Sequence, residues 1–273
     1  MTDLADREWR LVREEARSGA MNMALDEVAA ETAAAGGPRT VRLYRWEPSC
    51  LTLGYRQDPA TVDWAHCETA GVEVTRRQTG GGGIYHDNHG DVSYSIAVPA
   101  DEVPGDLLEC YHLLCEPVLA GFDALGVDAD YVAGERPSIH QPACYLRGLN
   151  PAHDLVSDDG AGRKLAGNAQ YRRDDAVIQH GSVTHAVAAA AHLAVFADPG
   201  IDAERFRERV AGVTDFVDAD REETVRAFEE ALAAWVDAEA GSWTDDELAR
   251  ARALAETKYR ADEWVRERSD PTA

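Results

Sequence analysis

The chain is nearly devoid of lysine. Among 273 residues only Lys164 and Lys258 are lysines, and every other strong base is arginine. Bases are also outnumbered: 27 Lys+Arg stand against 50 Asp+Glu, a formal charge of −23. That balance argues against nonspecific nucleic-acid binding, which needs bases to neutralise phosphate. The acidic residues are spread along the chain and read as solvated surface, not as a binding tail. Such a surface suits a salt-loaded cytosol, where ions screen self-repulsion, and a halophilic archaeon is the source this composition points to. The five cysteines, at 50, 67, 110, 115 and 144, are odd in number and not closely paired, so they give no disulfide framework, and no CxxC or Cys/His spacing suggests zinc. No window approaches the ~18 uninterrupted apolar residues of a membrane span. The charged opening "MTDLADREWR" reads against a secretory leader. The expectation is a cytoplasmic protein with neither membrane nor nucleic acid as partner.

Apolar residues make up 45% of the chain, enough for the core of one large domain. "SGAMNMALDEVAAETAAAGG" (18–37) reads as a helix, with Met21, Leu25 and Val28 on one face. "TVRLYRW" and "CLTLGYR" alternate like strands around Glu47-Pro48-Ser49. A short helix then leads to the strand "VEVTRRQ", and after a glycine run come "IYH" and the strand "DVSYSIAVP". Residues 105–126 read as a helix kinked or broken at Pro117, in which Cys110 and Cys115 are buried small hydrophobes. "VDADYVAG" reads as a strand, 135–152 as an irregular loop, and "HDLVSDDGAGRKLAGNAQYRR" as two strands around a turn, with "DAVIQHGSVTHAV" continuing the sheet. From about residue 200 the pattern is helical, with N-caps at Asp220 and Thr244 and a capping box from Thr244 to Glu247. No repeat or low-complexity tract appears. The economical division is a mixed α/β catalytic unit over 1–200 and a helical extension over 201–273 packed on the same domain.

Two stretches carry chemistry. In "RRQTGGGGIYHD", Arg76 and Arg77 run into Gly80, Gly81, Gly82 and Gly83, followed by His86 and Asp87. Glycines let backbone approach an anion or a carbonyl without a Cβ in the way, and arginines supply the paired donors that phosphate or carboxylate accepts. This is neither a Walker loop nor a GxGxxG turn opening a helix; the bland alternative is a flexible hairpin. The second stretch is "GRKLAGNAQYRRDDAVIQHGS" (162–182). Lys164, kept in a strand of a chain that avoids lysine, offers a point charge for a phosphate or an activated carbonyl. Gly167, Gln170, His180 and Gly181 accompany it, His180 on its own being a weak candidate.

Taken together, the two motifs resemble those of the biotin/lipoate A/B protein ligase family, which includes lipoate–protein ligases and cysteine-dependent octanoyltransferases. "MNMALDE", "VRLYRWEPSCLTLGY", "VTDFVD" and "AETKYRADEW" extend the similarity over nearly the whole chain. The resemblance implies an α/β fold of the class II synthetase type, with a mixed, largely antiparallel sheet packed with helices. It implies attachment of a lipoyl or octanoyl group to a lysine of a lipoyl domain, from a 2-oxoacid dehydrogenase E2 or a glycine-cleavage H protein. The arginine–glycine segment would line the acyl and nucleotide pocket, and Lys164 would contact the acyl carbonyl and the phosphate of an acyl-adenylate.

Two mechanisms share that scaffold. A ligase uses ATP and Mg2+ to make lipoyl-AMP, sometimes with a separate accessory subunit, and no fixed metal site is expected from the protein itself. A transferase needs no cofactor and carries the acyl group on its own cysteine; Cys144, in "HQPACYLRGLNPAHD", stands where those enzymes hold their nucleophile, with a slightly longer loop after it. Lys164 or His153 would then assist the thiol. The archaeal composition and "VTDFVD" place the ligase ahead at this stage. A biotin ligase ranks lower, since a Gly-Arg-Gly-Arg type of run is missing, and a catalytically silent carrier-binding module is opposed by the arginines, glycines and Lys164.

Overall fold

The alternating segments pair into two sheets in a computed structural model that describes residues 4–272. In chain order the strands are β1 (Trp9–Arg17), β2 (Arg39–Trp46), β3 (Cys50–Leu53), β4 (Glu73–Arg76), β5 (Ile84–His86), β6 (Asp91–Pro99), β7 (Ala129–Tyr131), β8 (Asp154–Ser157), β9 (Lys164–Arg172), β10 (Ala176–Thr184) and β11 (Glu239–Gly241). The helices are α1 (Gly19–Ala34), α2 (Trp64–Ala70), α3 (Leu107–Ala124), α4 (Ala189–Ala194), α5 (Ala203–Arg207), α6 (Arg221–Val236), α7 (Asp245–Leu254) and α8 (Asp262–Val265), with a π-helical turn, Ala255–Tyr259, between the last two. The large sheet runs β11-β1-β2-β6-β10-β9-β8-β7; it is parallel across β11, β1 and β2 and antiparallel thereafter. The small sheet is β4-β3-β5.

Strand alternation gives the large sheet two unlike faces. Val41 and Leu43 of β2 and Val92, Ile96 and Val98 of β6 join the apolar cluster that includes residues of α3 and α6, where Phe122 and Phe228 meet edge to face at 5.1 Å. The other face is polar. Register places Tyr44, Ser93, Ser182, Gly167 and Asp154 directly opposite one another, a row running across five strands. The helix α1 and the small sheet cover this face, and the space left between them is the site.

The structure departs from the sequence reading at three places. β1 was not foreseen: its second half, "REEAR", lacks alternation because the register slips between Val12 and Glu15, and its buried Arg10 is paired with Glu247. β11 is three exposed residues on the sheet edge and carries no apolar signal. Pro117 neither breaks nor ends α3, which is continuous from Leu107 to Ala124; the buried packing of this helix on α6 offsets the ~3 kcal/mol that an internal proline costs. Asp220 and Thr244 cap their helices as expected, Thr244 in the expected capping box with Glu247, and Asp220 also forms one with Glu223.

Candidate active site

A cavity of about 190 Å³ lies between the two sheets. Met23, Tyr44, Trp46 and Ile84 form apolar wall, and Cys144, His153, Asp154 and Lys164 form polar wall. The glycine run borders it through Gly80 and Gly81. Backbone conformation and crowding account for Gly81 and Gly82, whereas Gly80 has open space beside it. Gly81 adopts φ +92°, and its carbonyl lies where a side chain on Gly54 would project, 2.1 Å from that Cβ position. A Cβ on Gly82 would meet the Pro142 carbonyl at 2.7 Å and the Cys144 amide at 3.0 Å. Gly83 is stitched to the same segment: its N–H donates to the Pro142 carbonyl (2.7 Å), and the Cys144 N–H donates to the Gly83 carbonyl (2.8 Å). The glycine loop thus serves to seat the Cys144 segment against β5.

The two adjacent arginines do not offer donors to a ligand as the sequence suggested. Arg77 lines the cavity, yet its Nε donates to Thr79 Oγ1, its Nη1 to the carbonyl and hydroxyl of Thr52, and its Nη2 to the carbonyls of Gly80 and Gly82. All five guanidinium protons have acceptors. Arg76 points away from the cavity altogether. Its Nη1 is held by the carbonyls of Gly54, Tyr55 and Gln57 and its Nε by those of Trp264 and Val265. The alternation of β4 sends neighbouring side chains to opposite sides, and a buried guanidinium finds backbone oxygens on either one. Asp87 is likewise outside the cavity, accepting from the His89 and Gly90 amides in a turn.

Lys164 sits at the start of β9, 2% exposed, with Nζ 2.7 Å from Asp154 Oδ1. A register shift between Leu155 and Val156 brings Asp154 opposite Gly167. A Cβ on Gly167 would stand 3.2 Å from Lys164 Nζ, a tight approach, and 3.8 Å from Cys144 Sγ, an ordinary contact, so ammonium and sulfur border the same point over this glycine. Burial opposes the lysine's charge, but Asp154 and Cys144 outweigh it and hold its pKa above the usual value. Burial likewise resists ionisation of Asp154, and Lys164 reverses the sign, leaving the carboxyl well below its ordinary range. The pair is ionised across the neutral range.

Two of the predicted histidines are braced by carboxylates. His86 Nδ1 lies 2.7 Å from Asp91 Oδ2 and its Nε2 3.0 Å from Thr52 Oγ1, with the ring stacked on Trp46 at 4.0 Å. Burial depresses its pKa in spite of Asp91. His180 bridges Thr79 Oγ1 (2.7 Å) and Asp26 Oδ2 (3.2 Å), and Asp26 in turn holds Arg42 at 2.6 Å. Gln170 lines the cavity and bonds Gln179, while Gly181 lies against Tyr94 and Asn168. Sequence reasoning missed Asp154, Asp26, Asp91, Asn168 and Tyr111. Asp154 and Asp91 each open an apolar strand and Asp26 sits in an apolar helix, which is the signal that finds them: a buried carboxylate needs a partner.

A lysine ammonium and a cysteine sulfur at one end of an apolar cavity define an enzyme site suited to an acyl group. The chain belongs to the lipoyl protein ligase A/B catalytic-domain family, whose model matches residues 18–236. It is 30% identical to octanoyltransferase LipM of Brevibacillus brevis, over 94% of this chain and 98% of that protein. It is 33% identical to octanoyltransferase LipM of Symbiobacterium thermophilum, over 94% and 97%. Among solved structures, it is similar to lipoate-protein ligase A bound with ATP (TM-score 0.78, 28% identity, 95% of this chain and 98% of that one). It is also similar to a bi-partite lipoate protein ligase from Thermoplasma acidophilum, described with its E2 lipoyl domain (TM-score 0.77, 27% identity, 95% and 96%). The mixed, largely antiparallel sheet with its helices is the class II synthetase-like fold expected for the family. Among the described residues no helix is long and apolar enough to cross a membrane.

Proposed function

We propose that this enzyme is an octanoyltransferase that carries the acyl group on Cys144. A carrier-bound octanoyl thioester enters the cavity with its chain along Met23, Tyr44, Trp46 and Ile84. The Cys144 sulfur attacks the carbonyl carbon; a new C–S bond forms, the carrier's C–S bond breaks, and the carrier leaves as a thiol with the proton Cys144 gave up. Lys164 stands where negative charge develops on the carbonyl oxygen and on sulfur, a fixed cation in a site shielded from water. The ε-amine of a lipoyl-domain lysine then takes the acyl group, forming the amide and releasing Cys144. The lipoyl domain of an E2 subunit or of a glycine-cleavage H protein is the acceptor proposed.

One observation carries this reading: Cys144 Sγ and Lys164 Nζ flank the same point above Gly167. The full set of acceptors around Arg77 supports it from the other side, since this arginine, which lines the cavity, has no donor left for a nucleotide phosphate. The likeness to an ATP-bound lipoate-protein ligase supports a second reading. In it ATP and Mg2+ activate lipoate, Lys164 contacts the acyl-adenylate, a separate accessory subunit assists, and Cys144 is a bystander. The deciding experiment supplies native protein and Cys144→Ser, in high salt, with a lipoyl domain and either octanoyl carrier protein or lipoate plus Mg-ATP. ATP-independent modification that disappears in Cys144→Ser is expected. Modification that needs ATP and survives the substitution overturns the transferase.

A further inference from the structure

His153 has no part in the acylation just described, yet it lines the same cavity. The residue is held through its backbone and flanked on its ring. The backbone carbonyl accepts from Asn168 Nδ2 at 2.8 Å, and Asn168 Oδ1 is fixed by the Tyr94 hydroxyl at 2.7 Å. The Tyr111 ring of α3 packs against the imidazole at 5.2 Å. Nδ1 is buried, has no hydrogen-bond partner, and lies 3.5 Å from Asp154 Oδ1, an oxygen already engaged by Lys164. The side chain as a whole is 31% exposed, so the accessible part of the ring carries Nε2. A carboxylate beside Nδ1 favours the tautomer with its proton on Nδ1 and leaves Nε2 as an acceptor.

The second half of the reaction needs such an acceptor. A lysine amine arrives as an ammonium at neutral pH and cannot attack until one proton is removed. Lys164 is itself a cation and cannot take it. Asp154 is paired with that cation and kept weakly basic. We propose that His153 Nε2 is the general base for aminolysis, taking one proton from the incoming lysine ammonium. The neutral amine nitrogen then bonds to the thioester carbonyl carbon, the C–S bond breaks, the second amine proton goes to the departing Cys144 sulfur, and His153 passes its proton to solvent. The titratable groups beside the imidazole are Asp154 and Tyr111, and Lys164 and Cys144 line the same cavity.

This assignment rests on the cysteine reading, and single-turnover kinetics separate the two. Native enzyme and His153→Gln are each acylated with octanoyl carrier protein, the adduct is weighed, and the acyl-enzyme is mixed with unmodified lipoyl domain across pH 6–9. For His153→Gln, aminolysis near pH 7 is expected to fall by about 10²-fold, while acylation slows by no more than about threefold. Its rate should climb steadily with pH instead of levelling off, and added imidazole should restore part of it. Equal slowing of both steps, or unchanged aminolysis, overturns the role of His153. A native enzyme that forms no acyl adduct overturns the cysteine reading and this inference with it. Thermal unfolding of His153→Gln checks that the variant is folded; an unfolded variant is replaced by His153→Asn, to which the same outcomes apply.

Discussion

The two lysines are buried to the same degree and do different work. Lys164 is 2% exposed and Lys258 is 1% exposed. Lys164 has one carboxylate, Asp154, and otherwise faces the cavity and the Tyr145 ring at 5.4 Å. Lys258 has two carboxylates, Glu27 at 3.1 Å and Asp270 at 2.7 Å, and lies over Trp264 at 4.7 Å. It ties the C-terminal segment to α1, close to where Arg76 grips the carbonyls of Trp264 and Val265. In a chain that avoids lysine, scarcity marks a position where an ammonium is needed. It does not say whether that ammonium is turned toward a ligand or closed in by protein.

Replacing each lysine tests the comparison, and the largest effect is expected at Lys164. Lys164→Met should lower acyl transfer by about 10²–10³-fold through loss of the fixed cation. It should also destabilise the fold by about 3–5 kcal/mol, because Asp154 is left as a buried, unpaired carboxylate. Acyl-enzyme mass and denaturant unfolding read the two losses separately. Crowding of the cysteine segment comes next: Gly82→Val should cost about 1–3 kcal/mol as an overpacked site. Because the new side chain pushes on the Cys144 amide, transfer should fall by up to ~10²-fold, the scale of a 1 Å misplacement. Lys258→Met should cost a smaller ~1–3 kcal/mol, its carboxylate partners being nearer to water, with the turnover of the folded fraction unchanged. Lys258→Met with turnover reduced as severely as Lys164→Met would end the distinction drawn above.

The pH dependence sharpens the same contrast. Asp154 is depressed in the folded state, so its contribution is present above about pH 3.9, the ordinary carboxyl value, and is lost as pH falls through the folded value. Lys164 is raised, so its contribution is present below about pH 10.4 and is lost as pH rises beyond that. The stability difference between native protein and Lys164→Met/Asp154→Leu should therefore stay level between about pH 5 and 9 and change only outside that window. The smallest effect is reserved for Gly80→Ala. Nothing lies within 4 Å of the added Cβ, and stability should move by no more than about 0.5 kcal/mol.

How much could be seen in the sequence differs by element. The strands that form the polar face, β2, β6, β9 and β10, alternate clearly because one side meets α3 and α6 and the other meets the site. β1 did not, since Arg10 is buried through its pair with Glu247, and such pairs read as surface until the partner is placed. Lys164 was legible from rarity and Cys144 from its loop of polar neighbours. Arg77 lines the cavity with the glycines as read, but two arginines beside glycines suggest an anion, whereas here protein carbonyls and hydroxyls take that part. Asp154 was hidden because its partner lies on the facing strand, where only register connects them.

The link between Gly83 and Cys144 bears on how much the chain between cysteine and lysine can change. Cys144 is held on one side by the hydrogen bond from its amide to the Gly83 carbonyl, across the cavity, and on the other by the buried residues that follow it. Tyr145, Leu146 and Leu149 are buried and tied to Ser182, Ile139 and Arg136, so a change of length is expected to leave the sulfur in place only in the turn that follows Leu149. Loop closure grows more costly only slowly with added residues, by ~0.6 kcal/mol per doubling. An insertion in that turn should leave the cysteine–lysine pair in place, whereas bulk added at Gly82 should displace it.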